Sequence, residues 1–256
     1  MPKTERRFVG IQRLYGTAGA ARLRAAHVAI IGVGGVGSWA VEALARSGIE
    51  TLTLIDSDHI TESNINRQLP ALSNTLGRAK IDVLAERIEQ INPSCTIQRI
   101  DQFIEHDNLD ELIQSNYTWI LDSIDDFRLK AALIAYSRRQ RQRILTVGAA
   151  GGQIDPTQVR TTDLRKTAQD ALLARTRRLL RQQYGYPKNP ARTFGVPAVW
   201  SSEPVIAAQH GEPQSEHSLN CAGYGACMPV TATFGMVASA YILKHIALKT
   251  HNDDTP

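Results

Sequence analysis

At 256 residues the chain has room for one large α/β domain or two small ones. Its 43% hydrophobic and 21% charged residues, with no low-complexity stretch or internal repeat, exclude a disordered or solenoid architecture. Twenty-nine Lys and Arg stand against 25 Asp and Glu, a formal charge of +4, which mildly favours a polyanionic partner. The three cysteines, Cys95, Cys221 and Cys227, form no C-x-x-C pair. That speaks against a disulfide framework and a four-cysteine zinc site, and it fits a reducing, cytoplasmic setting.

The N-terminus, MPKTERRFVG, lacks an apolar signal core, and residues 4–24 are expected to form a helical arm rich in Arg and Ala. HVAIIG (27–32) is a short apolar run bounded by glycine, the pattern of a buried strand. A helix follows over 36–48, closed by Gly48, then strand TLTLID (51–56) and a polar loop over 57–74. Further on come a helix over 77–91 that stops before Asn92-Pro93, a strand at 96–100, a short helix over 107–115, strand 117–122, helix 127–140 and strand 143–148. Strands alternating with helices at this spacing predict a Rossmann-like, doubly wound, mostly parallel α/β sheet. After Gly152 the pattern changes: 153–164 suits an antiparallel extension, 168–184 a basic helix and 198–206 a strand. Residues 207–227 suit a long crossing loop, and 228–248 a final helix. That last segment is apolar enough to resemble a membrane span, but Thr231, Thr233, Ser239 and Lys244 favour a buried or half-buried helix. No clean linker interrupts the chain, so a single domain is expected. It has an arm (1–24), a nucleotide-binding core (25–152) and a C-terminal elaboration (153–256).

Chemistry concentrates in four places. Gly32-Val33-Gly34-Gly35-Val36-Gly37 sits between a strand and a helix, where bare amides and a helix N-terminus receive phosphate oxygens. Asp56 closes the next strand 19 residues after Gly37, placed to accept hydrogen bonds from ribose hydroxyls. To this point NAD fits as well as ATP. The segment after Asp56 separates the two: Asn64, Arg67 and Gln68 have no evident task beside a nicotinamide, whereas nucleotidyl transfer needs an Arg on phosphates that gain charge. Lys80 offers a second cation. Asp122-Ser123-Ile124-Asp125-Asp126 lies at a strand's C-terminal end, where Asp125 is suited to Mg²⁺. Singly, each residue also suits a cap, a surface lysine or a turn.

With these residues the chain resembles the ubiquitin-activating-enzyme superfamily, whose bacterial members include MoeB and ThiF. The resemblance implies Mg-ATP binding and adenylation of a carboxylate. It places Gly34 and Gly35 at the phosphates, Asp56 at the ribose, Asn64, Arg67 and Lys80 on phosphate, and Asp125 on the metal. Within that superfamily, GVGGVGSWAVEALARSGI (32–49), NINRQ (64–68), AERIEQINP (85–93), GAAGGQIDPTQ (148–158) and VTATFG (230–235) are similar to the tRNA threonylcarbamoyladenosine dehydratases (TcdA/CsdL). That family implies ATP-dependent cyclisation of threonylcarbamoyladenosine beside the tRNA anticodon. A homodimer is implied with it, as is a possible link to a cysteine desulfurase or sulfur-acceptor system. The alternative within the superfamily is adenylation of the C-terminal carboxylate of a small sulfur-carrier protein. Cys221 occupies the loop where protein-activating relatives carry a thioester-forming cysteine; a small residue in a Gly-rich turn is the plainer reading. Some relatives extend an arginine from the arm into the partner's ATP site. Here Gly10 stands at that place, leaving Arg13 or Arg7 as substitutes.

The tRNA reading gives a purpose to two basic clusters, Arg138, Arg139, Arg141 and Arg143, and Arg175, Arg177, Arg178, Arg181, Lys188 and Arg192. Tyr184, Tyr186, Phe194 and Trp200 are the aromatics available there for stacking on splayed bases, with Trp200 the one best suited to the core. His59, His106, His210 and His217 are candidate general bases by residue type only.

Overall fold

The computed structural model describes residues 6–206 and 224–248. Seven strands form one sheet in the order β3-β2-β1-β4-β5-β7-β6. They are β1 (His27–Ile31), β2 (Thr51–Ile55), β3 (Thr96–Ile100), β4 (Trp119–Asp122), β5 (Ile144–Val147), β6 (Val159–Asp163) and β7 (Pro197–Ser201). Neighbours run parallel from β3 across to β7; β6 alone is antiparallel, at the far edge. The helices are α1 (Val9–Ala25), α2 (Gly37–Arg46), α3 (Lys80–Ile91), α4 (Leu109–Leu112), α5 (Phe127–Arg139), α6 (Ala171–Gln183) and α7 (Met228–Ala247).

Continuous apolar runs become central strands because both faces are covered. All residues of β1, β4 and β5 are buried, whereas β3, TIQRI, lies at an edge and is only partly covered. Alternate residues of β1 face different layers. Val28 and Ile30 join a core with α2, α3 and α7; Ala29 and Ile31 join a second core with α4, α5 and α6.

Helix ends depart from the sequence expectation by a residue or a turn. The arm helix is broken at Gly16, whose φ of 73° and ψ of 168° lie outside any helix and are open to glycine. The segment expected as helix from residue 77 enters it only at Lys80, since Gly77 takes a positive φ and Ala79 is extended. The strand expected over 198–206 ends at Ser201. Helix α7 is long and apolar enough to cross a membrane, yet it is a packing helix here. Val230, Phe234, Ala238 and Ile242 are wholly buried, and a Cβ on Gly235 would stand 2.6 Å from the Val36 carbonyl of the segment leading into α2. Of the expected crossing loop, residues 207–223 lie outside the described residues, and with them Cys221, His210 and His217.

The register sets the site. Ile31 pairs with Ile55 of β2 and with Asp122 of β4, so three strands end at one level. Chain order reverses there, with β2 on one side of β1 and β4 on the other. This leaves the crevice beyond the strands' carboxyl ends that open α/β sheets use for ligands.

Candidate active site

A cavity of about 860 Å³ fills that crevice. Of the residues that the sequence assigns to ATP and metal, Gly32, Gly34, Gly35, Asp56, Asn64, Arg67, Gln68, Lys80 and Asp125 border it, and Gly37 and Arg13 do not.

The first wall is the glycine loop. Gly32 has φ of 83°, donates its N–H to the Ile55 carbonyl at 2.9 Å, and lies so close to Ser123 that a Cβ would meet the Ser123 carbonyl at 3.0 Å. Gly34 and Gly35 face the cavity. Gly37 does not: a Cβ there would fall 1.9 Å from the Gly32 carbonyl, so this glycine lets α2 turn tightly back on the loop. Ser123 ties the loop across the crevice, donating its hydroxyl to the Gly32 carbonyl at 2.6 Å.

Asp56 anchors the second wall. One carboxylate oxygen accepts the Val33 N–H at 2.7 Å, the other the Asp58 N–H at 2.9 Å. Burial pushes its pKa up, and Lys80 and the two amides oppose that shift. A capping box between Thr61 and Asn64 folds the next segment into a 3₁₀ turn over Glu62–Asn64. Beyond the turn the Arg67 carbonyl accepts from Trp39 Nε1 of α2 at 3.0 Å and Thr231 Oγ1 of α7 at 3.3 Å. Arg67's guanidinium donates to the Ser63 carbonyl at 2.6 Å and to Asn66 Oδ1 at 3.0 Å. Lys80, the first residue of α3, is 5% exposed and pairs through Nζ with Asp58 Oδ2 at 2.6 Å.

The third wall is the loop after β4. Asp122 is fully buried; its Oδ2 accepts from Lys130 Nζ at 2.8 Å and from Thr146 Oγ1 at 2.6 Å, while Oδ1 accepts the Ile124 N–H at 3.1 Å. Asp126 caps α5 by accepting the N–H groups of Arg128 and Leu129. Asp125 and Asp126 both border the cavity; with Asp126 committed to the cap, Asp125 is the one that makes no such bond, and desolvation by its surroundings raises its pKa. Opposite, Asp170 caps α6, accepting Leu173 N–H at 2.8 Å, and takes the Ala149 N–H at 3.0 Å; burial raises its pKa too.

Lys130, Asp170 and Gln153 escaped the sequence reading. Each left a faint signal: a lysine in the apolar stripe of α5, an aspartate before a helix, and a glutamine after the glycines at 151 and 152. The buried Oε1 atoms of Gln68 and Gln153, both at the cavity wall, have no hydrogen-bond partner among the described residues. Arg13 is exposed on α1, away from the cavity. No described histidine or cysteine borders the cavity, and His59 and His106 are exposed. Of the aromatics offered for stacking, Trp200 lies in the core as expected, Phe194 joins it there, and Tyr184 and Tyr186 pack partly buried against the same core. Phe194 and Trp200 are buried, and Tyr186 packs edge-on to Phe194 with centroids 5.0 Å apart.

Comparison with known proteins agrees with this geometry. Residues 6–255 match the ThiF family. A tRNA threonylcarbamoyladenosine dehydratase of Haemophilus influenzae is 49% identical over 96% of this chain and 95% of its own length. The Escherichia coli protein of the same description is 45% identical over 95% and 94%. The crystal structure of the E. coli dehydratase TcdA in complex with ATP superposes with a TM-score of 0.89 at 43% identity, covering 99% of this chain and 98% of that one. The chain belongs to the ThiF family, among the tRNA threonylcarbamoyladenosine dehydratases.

Proposed function

We propose that the protein uses ATP to cyclise threonylcarbamoyladenosine beside the anticodon of tRNA. The observation that carries this reading is the convergence of Asp56, Arg67, Lys80 and Asp125 on one cavity at the sheet's switch point. Bound ATP supplies an α-phosphorus for the threonine carboxylate to attack, with pyrophosphate leaving. A nitrogen or oxygen of the same modification then closes on the activated carbonyl, a proton is lost, and AMP carries away one carboxylate oxygen. The nucleoside has thereby lost one water.

The chain's residues divide the work. Asp56, held by two backbone amides, has lone pairs left for the ribose hydroxyls. Gly34 and Gly35 let phosphate approach the backbone. Arg67 and Lys80 meet the charge that grows during displacement. The ion pair with Asp58 keeps the lysine aimed rather than free to swing. The unpartnered Gln68 and Gln153 oxygens suit a polar ligand such as a nucleotide. Asp125, at the cavity wall, is the residue that would hold Mg²⁺, an ion that would supply positive charge against the phosphates. Ring closure is intramolecular and depends on holding two groups together. By the same reading the protein is a cytoplasmic homodimer, and Arg13 is the arm residue available to a partner's site.

Pyrophosphate release tests this directly. It is expected with tRNA carrying threonylcarbamoyladenosine, absent with tRNA lacking it, and lost in Arg67→Ala and Asp125→Ala. Release that ignores tRNA but follows a small protein's C-terminal carboxylate would assign the chemistry to a protein substrate.

A further inference from the structure

We propose that the exposed face shared by α5 and α6, headed by Arg128 and Arg175 over the ring of Phe127, grips the RNA strand that enters the cavity. The inference rests on the tRNA reading and assigns it a surface.

Charge segregation is the first support. Residues 127–143 and 171–195 hold 12 of the 29 basic residues and none of the 25 acidic ones. The rest of the chain is therefore net acidic, and the mild overall charge conceals a strongly basic flank. Ten of the twelve are arginine, whose planar guanidinium both forks onto phosphate and stacks on bases. Lys130 is spent on Asp122, but Arg128, Arg138, Arg175 and Arg178 are exposed and make no ion pair among the described residues.

Position is the second. Both helices begin at the cavity: Asp126 and Leu129 of the α5 start, and Asp170 and Ala171 of the α6 start, border it. Arg175 and Arg178 follow Ala171 at helical spacing along one exposed face that leads away from the mouth. The third support is preorganisation. The guanidinium carbon of Arg128 lies 4.8 Å and that of Arg175 5.8 Å from the centroid of Phe127, a ring that bridges the two helices at the cavity's edge. Arginines steadied in this way present donors to phosphate and a flat surface to an unstacked base of a single-stranded loop. A nucleotide that reacts inside the cavity while still joined to its polymer needs such a grip on the strand either side of it.

The test is binding of modified tRNA, followed by fluorescence anisotropy over a range of salt concentrations. Arg128→Glu with Arg175→Glu should raise Kd by about tenfold or more and flatten the salt dependence by about one phosphate contact per arginine. The thermal shift produced by ATP should match that of the wild type, which also shows that the variant folds. Arg24→Glu with Arg160→Glu carries the same charge change at exposed sites elsewhere and should bind tRNA as the wild type does. Phe127→Ala should weaken binding and Phe127→Tyr should restore it. An unchanged Kd in the Arg128/Arg175 variant, or an equal loss in the Arg24/Arg160 variant, overturns the assignment. If wild-type protein turns over modified tRNA while the Arg128/Arg175 variant keeps the same KM, the surface falls and the proposed function stands. If wild-type protein neither binds nor turns over tRNA, both fall.

Discussion

The two sides of the cavity are built on different principles. Along the ends of β1, β2 and β4, polar side chains are locked into place. Asp56 holds two amides, Lys80 is paired with Asp58, and Asp122 sits at 0% exposure against Lys130 and Thr146. Along α5 and α6, the buried Lys130 aside, the charges are arginines, most of them exposed, with no acidic residue on the same segments. A small ligand that must react needs dipoles fixed before it arrives. A long polyanion is held by many contacts of modest individual strength, each screened by salt. The strand-end side should fail abruptly on single substitutions, and the α5–α6 side by degrees.

The largest effect should come from Lys130→Met. It leaves the Asp122 carboxylate buried without its cation, and removing one partner of such a pair costs about 3–5 kcal/mol. Denaturant unfolding measures that loss; a change under about 1 kcal/mol would show that the pair does not hold this wall. Next is Arg67→Ala, whose guanidinium bonds are local and exposed. It should lower kcat about 10²–10³-fold with little change in melting temperature, as loss of one transition-state donor does. A comparable loss of stability would make Arg67 a structural residue. A third, smaller effect concerns Glu42, buried beneath Arg46 and Arg87 where α2 meets α3. Burial alone would raise its pKa, but the two arginines win and hold it below the ordinary 4.5. A depressed carboxylate stabilises the fold above its unfolded-state pKa, and that stability is lost as pH falls through the folded-state value. Glu42→Gln should therefore cost about 1–3 kcal/mol at neutral pH. The gap to wild type should shrink as the solution is acidified below pH 4.5. A pH-independent gap would remove the charge argument. Smallest is Arg178→Ala on the other wall. It should raise Kd for tRNA by less than about tenfold and flatten the salt dependence by about one contact, without touching ATP binding.

Much of the strand-end side was legible in the sequence because its signals are local. A short apolar run, a glycine loop and an acid closing the next strand are signals carried by neighbouring stretches of the chain. What was hidden depended on contacts between distant segments. Lys130 is eight residues from Asp122, a spacing that puts no two side chains together on one helix; they meet because β4 ends at the start of α5 and β5 brings Thr146 alongside. Gly37 matched the fingerprint, yet its role is close packing against Gly32 rather than ligand contact. The choice of aromatics fails in the sequence for the same reason. Trp200 is in the core as its sequence context suggests, but Phe194 looks as available as Phe127 until the fold buries the first and the α5–α6 junction leaves the second partly exposed.

The central claim is that one oxygen of the substrate carboxylate leaves with AMP. The most direct measurement supplies tRNA whose threonylcarbamoyl carboxylate carries heavy oxygen, adds ATP, and weighs both the released AMP and the nucleoside digested from the tRNA. The account predicts labelled AMP together with a nucleoside lighter by one labelled water. Unlabelled AMP, or a nucleoside of unchanged mass, would contradict it.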